Sequence, residues 1–119
     1  MVRIVCAKRT ELSVLTLWEQ HISLIELTAA VQQKRVFLAK EGEQTIGWLR
    51  YNFFWDSIPF LNLLYIREES RGKGYGSRLM EYWEEQMRRT GYTSVMTSSS
   101  AEECAQRFYM ARGYRIVGG

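Results

Sequence analysis

Hydrophobic positions change their period several times along the chain, and each change predicts an element. Residues 2–6 are dominated by β-branched side chains and predict a short strand. Thr10 is placed to cap a helix carrying Leu12, Leu15, Leu17 and Trp18. Ile22, Ile25 and Ala29, spaced by three and four, predict a second helix over 21–33. Residues 35–39 and 45–51 read as a hairpin around a turn at 41–43. Residues 56–59, with the single proline, predict a loop, and the apolar run 60–66 predicts a strand buried on both faces. From 76 to 89 the period turns helical. Leu79, Met80, Trp83 and Met87 form one stripe, opposed by Glu81, Glu84, Glu85 and Arg88, and Gly91 ends the helix. Residues 92–98 predict a strand. Ser99 and Ser100 precede Glu102 and Glu103 by three, a capping-box spacing for a helix carrying Ala105, Phe108 and Arg112. A last strand follows over 114–117.

The predicted order is β-α-α-β-β-β-α-β-α-β, an α/β domain with a mixed sheet. At 119 residues the chain has room for one domain, and no repeat or linker divides it. Four Trp, seven Tyr and five Phe supply a core. The net charge of +3 is a mild basic tilt that suits an anionic ligand. Lys and Arg never run longer than a pair and the aromatics fall on apolar runs, so the pattern is not that of a nucleic-acid surface. Cys6 and Cys104 form no CxxC pair and His21 is the sole histidine, which argues against a metal site and for a reduced, cytoplasmic protein. No apolar stretch has the length of a signal or a membrane span, so a soluble protein is expected.

One segment carries chemistry. Arg71-Gly72-Lys73-Gly74-Tyr75-Gly76 joins the apolar strand to the amphipathic helix. Its glycines let the backbone bend tightly and approach a ligand, and the helix start adds unpaired N–H groups and the positive end of the dipole. Such a corner binds phosphate or pyrophosphate. Arg71, Lys73 and Arg78 add positive charge. GxxxxGK[ST] is absent, and the third glycine of GxGxxG falls on Ser77, so neither a nucleotide P-loop nor a dinucleotide fold is expected. Glycines required by the turn alone are the competing reading.

Arg71-x-x-Gly74-x-Gly76 is similar to the Gln/Arg-x-x-Gly-x-Gly/Ala signature of GNAT N-acetyltransferases, with the apolar Ile66 five residues upstream. Ala105-Gln106-Arg107-Phe108-Tyr109 followed by Gly113-Tyr114 resembles a second segment of that family. The resemblance covers about Leu61 to Tyr114. It implies a three-layer α/β/α acyl-CoA N-acyltransferase fold and acetyl transfer from acetyl-CoA, without a metal, to a primary amine. It implies that Leu64, Tyr65 and Ile66 offer backbone groups to the pantetheine arm. It likewise implies that the amides of Gly72, Lys73, Gly74, Tyr75, Gly76 and Ser77, beside Arg71, hold the pyrophosphate, and that Tyr109 acts as general acid at the sulfur. Residues 51–56 are expected to border the acceptor pocket. Asp56, Glu68 and Glu69 are the nearby carboxylates, none of them assigned as base. Glu102 stands where the family commonly has Asn. The family's last strand is missing after residue 117, from which a homodimer, with strand exchange, is expected. A module that binds acyl-CoA without catalysis is the alternative.

Overall fold

The computed structural model of the chain describes residues 1–19, 22–97 and 113–114. Among the described residues five strands form one sheet: β1 (Val2–Cys6), β2 (Val36–Glu41), β3 (Gln44–Phe54), β4 (Ile58–Ile66) and β5 (Met96–Thr97), in spatial order 1-2-3-4-5. The first four are antiparallel neighbours, and β5 joins β4 in parallel. Three helices among the described residues cover the sheet: α1 (Leu12–Trp18), α2 (Leu24–Gln32) and α3 (Tyr75–Thr90).

β2 shows why the layers form. Phe37 and Ala39 point into a core shared with Leu79, Met80, Trp83 and Met87 of α3. Val36 and Leu38 point the other way, towards Leu15 of α1 and Leu27, Ala30 and Val31 of α2. A strand covered on both faces needs apolar residues at successive positions, and β2 has four. The helical stripe expected in α3 is the buried one, and Gly91 ends that helix at φ 109°.

Several expectations shift. Thr10 does not cap α1. It lies in a 3₁₀ turn over Arg9–Glu11, and the Lys8 N–H donates to the Glu11 carboxylate at 2.8 Å. Glu11 also pairs with Lys40 of β2 at 2.7 Å, so one carboxylate caps the turn and pins it to the sheet. α2 starts at Ser23, whose hydroxyl accepts the Glu26 N–H, and its buried stripe is Leu27, Ala30 and Val31. Ile25 is therefore 78% exposed rather than inward. The expected loop at 56–59 is a tight turn instead. Ser57 N–H donates to Phe54 carbonyl at 3.1 Å, while Ile58 and Pro59 belong to β4. Trp55 and Asp56 form this turn at φ 52° and 59°, a conformation unusual for non-glycine residues. Of the strand expected over 92–98, the described residues 92–97 pair at Met96 and Thr97. The capping box at 99–103, Cys104, the following helix and the last strand lie outside the described residues, as does the expected strand-exchanged homodimer contact.

The feature that positions the site is a bulge. Tyr51 of β3 pairs with Leu61 and Arg50 pairs with Leu63, so Asn62 has no partner on β3. One extra residue reverses the alternation of the strand. Leu61 faces α3, and so do Leu64 and Ile66, while Leu63 faces the α1/α2 side. β4 is therefore not buried throughout: Asn62 and Tyr65 are exposed. The Tyr51 hydroxyl, in the α3-side core, titrates above its usual range because of burial, with nearby Arg35 partly opposing the shift.

Gly47 crosses β4 where the bulged half ends. A Cβ there would lie 2.5 Å from Ile66 Cδ1 and 2.8 Å from the Tyr65 carbonyl oxygen. The side chain could turn away, but the backbone oxygen could not. Gly47→Ala is expected to lower stability by about 1–3 kcal/mol, the usual range for overpacking, measured as a lower urea midpoint with unchanged slope. Among the described residues no helix is long and apolar enough to cross a membrane.

Candidate active site

The end of β4, a 3₁₀ turn over Glu68–Ser70 and the first turn of α3 surround a depression of about 300 Å³. Ile66, Ser70, Arg71, Gly72, Gly74, Tyr75, Gly76 and Ser77 line it. Gly72 and Gly74 sit at φ 77° and 82°, and a Cβ on either would meet nothing within 4 Å. These glycines are thus needed for the left-handed backbone and not for space. Gly76 differs: its φ is ordinary, and a Cβ would make normal contacts with Ile66 and Leu64 at 3.8 and 3.9 Å. Alanine fits there.

Gly74 is the N-cap of α3, and the Arg78 N–H donates to its carbonyl at 3.1 Å as the first helical bond. The amides of Tyr75, Gly76 and Ser77 precede that bond and have no partner within the helix. They stand at the positive end of a helix of 16 residues. The expected cluster of three cations is only partly present. Lys73 is exposed and is not among the lining residues. Arg78 donates from Nη2 to the Val2 carbonyl at 2.9 Å, which holds β1 against α3. Arg71 lines the depression, but its Nε donates to the Ile66 carbonyl at 2.8 Å.

The free edge of β4 starts at the bulge. β5 pairs with Phe60 and Leu61 only, so from Asn62 onward β4 has no strand on that side among the described residues. The Arg67 N–H donates to the Ile46 carbonyl of β3 at 2.8 Å. By antiparallel alternation the N–H and C=O of Tyr65 also point to β3, whereas those of Leu64 and Ile66 point to the open edge. Of the three residues expected to present backbone groups, the geometry gives two. Tyr65 contributes its ring instead, which lies on the α1/α2 side at 4.7 Å from that of Trp48.

Tyr109 lies outside the described residues, together with Glu102 and the segment from Ala105 to Arg112. Tyr114 is described, and its hydroxyl donates to Glu84 of α3 at 2.9 Å. The segment expected to border an acceptor pocket divides: Tyr51 is core, and Trp55 is 82% exposed at the hairpin tip. Asp56 shares that tip, whereas Glu68 and Glu69 stand near the glycine loop, with Glu69 paired to Arg67 at 3.1 Å. β4 separates the two groups by roughly 25 Å at about 3.3 Å per residue, so these carboxylates do not converge.

Two features were missed in the sequence. Asn62, the bulged residue, donates to the Asn52 side chain at 3.0 Å; its only signal is a lone amide within an apolar run. Glu19 and Arg50 form a buried ion pair on the α1/α2 face, with Arg50 Nε at 2.9 Å from Glu19 Oε1.

A family model, the Acetyltransferase (GNAT) family, matches residues 7–114. The chain belongs to the GNAT acetyltransferase family. Its mixed sheet with α1 and α2 on one face and α3 on the other is the GNAT fold. A comparison of the sequence with curated proteins finds no match. Among solved structures the chain is similar to the PaiA N-acetyltransferase of Thermoplasma acidophilum in complex with coenzyme A. That pair has a TM-score of 0.82 at 15% identity, over 98% of this chain and 91% of that one. It is also similar to the N-acetylglutamate synthase of Neisseria gonorrhoeae complexed with coenzyme A and N-acetyl-glutamate, with a TM-score of 0.80 at 17% identity. There it covers 94% of this chain but spans only 28% of the synthase. The ribosomal-protein-alanine N-acetyltransferase of Brucella melitensis biovar Abortus matches with a TM-score of 0.75 at 12% identity, over 100% of this chain and 96% of that one. In this GNAT chain the family signature Arg71-x-x-Gly74-x-Gly76 therefore coincides with the left-handed loop and the first turn of α3.

Proposed function

We propose that this chain is an acetyl-CoA-dependent N-acetyltransferase acting on a primary amine. One observation carries the reading: the half of β4 that no strand borders among the described residues runs directly into a left-handed glycine loop and the open amides of α3. An extended amide-bearing arm ending in a diphosphate fits that sequence of groups. The outward N–H and C=O of Leu64 and Ile66 would pair with the arm as a further strand does. The amides of residues 72–77 would hold the diphosphate. Bound there, acetyl-CoA supplies an activated acyl carbon.

The remaining work falls to the chain. An alkylamine has a pKa near 10.4, so at neutral pH the site must accept a proton from it or select its minor neutral form. Asp56, Glu68 and Glu69 are too dispersed to act together, and we assign no base. An outward N–H of β4 would stabilise the oxygen that gains charge as nitrogen attacks the thioester carbon. Tyr109 would donate its proton to the departing sulfur as the C–S bond breaks. One similar structure is an N-acetylglutamate synthase holding N-acetyl-glutamate and another is a ribosomal-protein-alanine N-acetyltransferase, so the shared fold is compatible with acceptors of very different size.

The test is calorimetry with coenzyme A followed by acetyl-CoA turnover against a panel of amines. Tyr109→Phe is expected to lower kcat by about 100-fold, the low end for a general acid, with coenzyme A affinity unchanged. Binding without turnover on any amine would favour a non-catalytic acyl-CoA module. No binding heat from folded protein would reject both.

A further inference from the structure

A column of rings crosses the α1/α2 face of the sheet and ends on the glycine loop. Trp18, at the end of α1, stacks on Trp48 of β3 with ring centres 5.0 Å apart and an interplanar angle of 14°. Trp48 continues to Tyr65 of β4 at 4.7 Å. Two guanidinium groups close the column: Arg67 lies 5.4 Å from the Trp18 ring centre, and Arg71 lies 5.4 Å from that of Tyr65. Both fall within cation–π range.

Arg71 is thus held twice, by the Tyr65 ring and by the Ile66 carbonyl at 2.8 Å. Both partners belong to the last two residues of β4, and Arg71 is the first residue of the glycine loop. The side chain works as a clip that sets where the loop leaves the strand. It also occupies one of the two outward carbonyls on the free edge, so an incoming arm must share Ile66 with it or displace it. Trp48 is 2% exposed and cannot yield, so it backs the ring rigidly.

We propose that Tyr65 is a positioning residue for the cofactor: its ring, backed by Trp48 and Trp18, fixes Arg71, and Arg71 fixes the loop that receives the diphosphate. The proposal rests on the reading of that loop given above. It assigns Tyr65 a role through its side chain and not through its backbone.

The experiment is a double-mutant cycle on the whole chain, with coenzyme A as the probe in calorimetry. Tyr65→Phe keeps the ring face and is expected to bind within about twofold of the parent. Tyr65→Leu removes it and is expected to weaken binding about three- to tenfold, the worth of a partly exposed cation–π contact. Added to Arg71→Gln, Tyr65→Leu should cost nothing more. Fully additive losses, or Tyr65→Leu binding like the parent, would overturn the proposal. A second arm needs no ligand. Hydrogen exchange of amides 71–77 should quicken in Tyr65→Leu but not in Tyr65→Phe, with the amides of α3 beyond Met80 as the reference for an intact fold. Unchanged loop exchange in Tyr65→Leu would refute the tie. If the parent itself binds no coenzyme A, the diphosphate reading fails while the exchange arm still judges the Tyr65–Arg71 contact.

Discussion

Glu19→Ala is expected to destabilise the protein by about 3–5 kcal/mol, the range for breaking one side of a buried ion pair. The Glu19 and Arg50 side chains are only 5% and 15% exposed. Both Nε and Nη2 of Arg50 converge on a single carboxylate oxygen, Oε1. The variant leaves a largely buried guanidinium without its carboxylate partner. The net value of the intact pair is smaller than this loss, because Glu19 Oε2 is buried without a hydrogen-bond partner among the described residues. Removing both charges should therefore be milder: Glu19→Ala with Arg50→Met is expected to be more stable than Glu19→Ala alone. Urea unfolding of the three variants decides it. If the double variant proves the weakest, the carboxylate is gaining more from its surroundings than this geometry accounts for.

The second large effect concerns binding. Gly72→Ala with Gly74→Ala should weaken coenzyme A binding by about 30- to 1000-fold. Left-handed backbone costs a non-glycine residue about 1–2 kcal/mol, and each 1.4 kcal/mol is a factor of ten. No atom lies within 4 Å of either added methyl, so nothing collides. The loop escapes the strain by rotating out of the left-handed region, and its amides turn with it. Stability should fall little, since the loop can relax into solvent. Gly42→Ala is the control: it carries comparable strain at φ 61° in the β2–β3 turn and should leave affinity unaltered. Wild-type affinity in the double variant would mean that the diphosphate is held elsewhere.

The sequence disclosed those parts of the fold in which one local pattern has one solution. In α3 the apolar stripe and its charged opposite face leave a single orientation, and Gly91 marks the end. The glycine loop was legible for the same reason: three glycines in five residues between a strand and a helix have few uses. What stayed hidden depends on distance or on phase. Glu19 and Arg50 are 31 residues apart, and no periodicity relates them. The bulge at Asn62 lies in a run where every neighbour is apolar, so a slip by one leaves no trace in the pattern. Of Leu64, Tyr65 and Ile66, all expected to offer backbone groups, the pairing with β3 leaves those of Leu64 and Ile66 pointing outward. The turn at Trp55 and Asp56 puts a bulky tryptophan at φ > 0, where such residues are rare, which made a longer loop the natural expectation. α2 contained a plausible stripe through Ile25, but packing against β2 and β3 chose Leu27, Ala30 and Val31.

The odd residue in β4 gives this strand a spare place. Without Asn62, Leu61 and Leu63 would meet Tyr51 and Arg50 as successive pairs of an unbroken ladder, and Leu64, Tyr65 and Ile66 would keep the faces they have. What would go is the local kink and added twist that a bulge gives a strand. With it would go the direction in which the last two residues of β4 meet Arg71. The length of this strand thus governs its bend, while the facing of its side chains tolerates the loss of one residue.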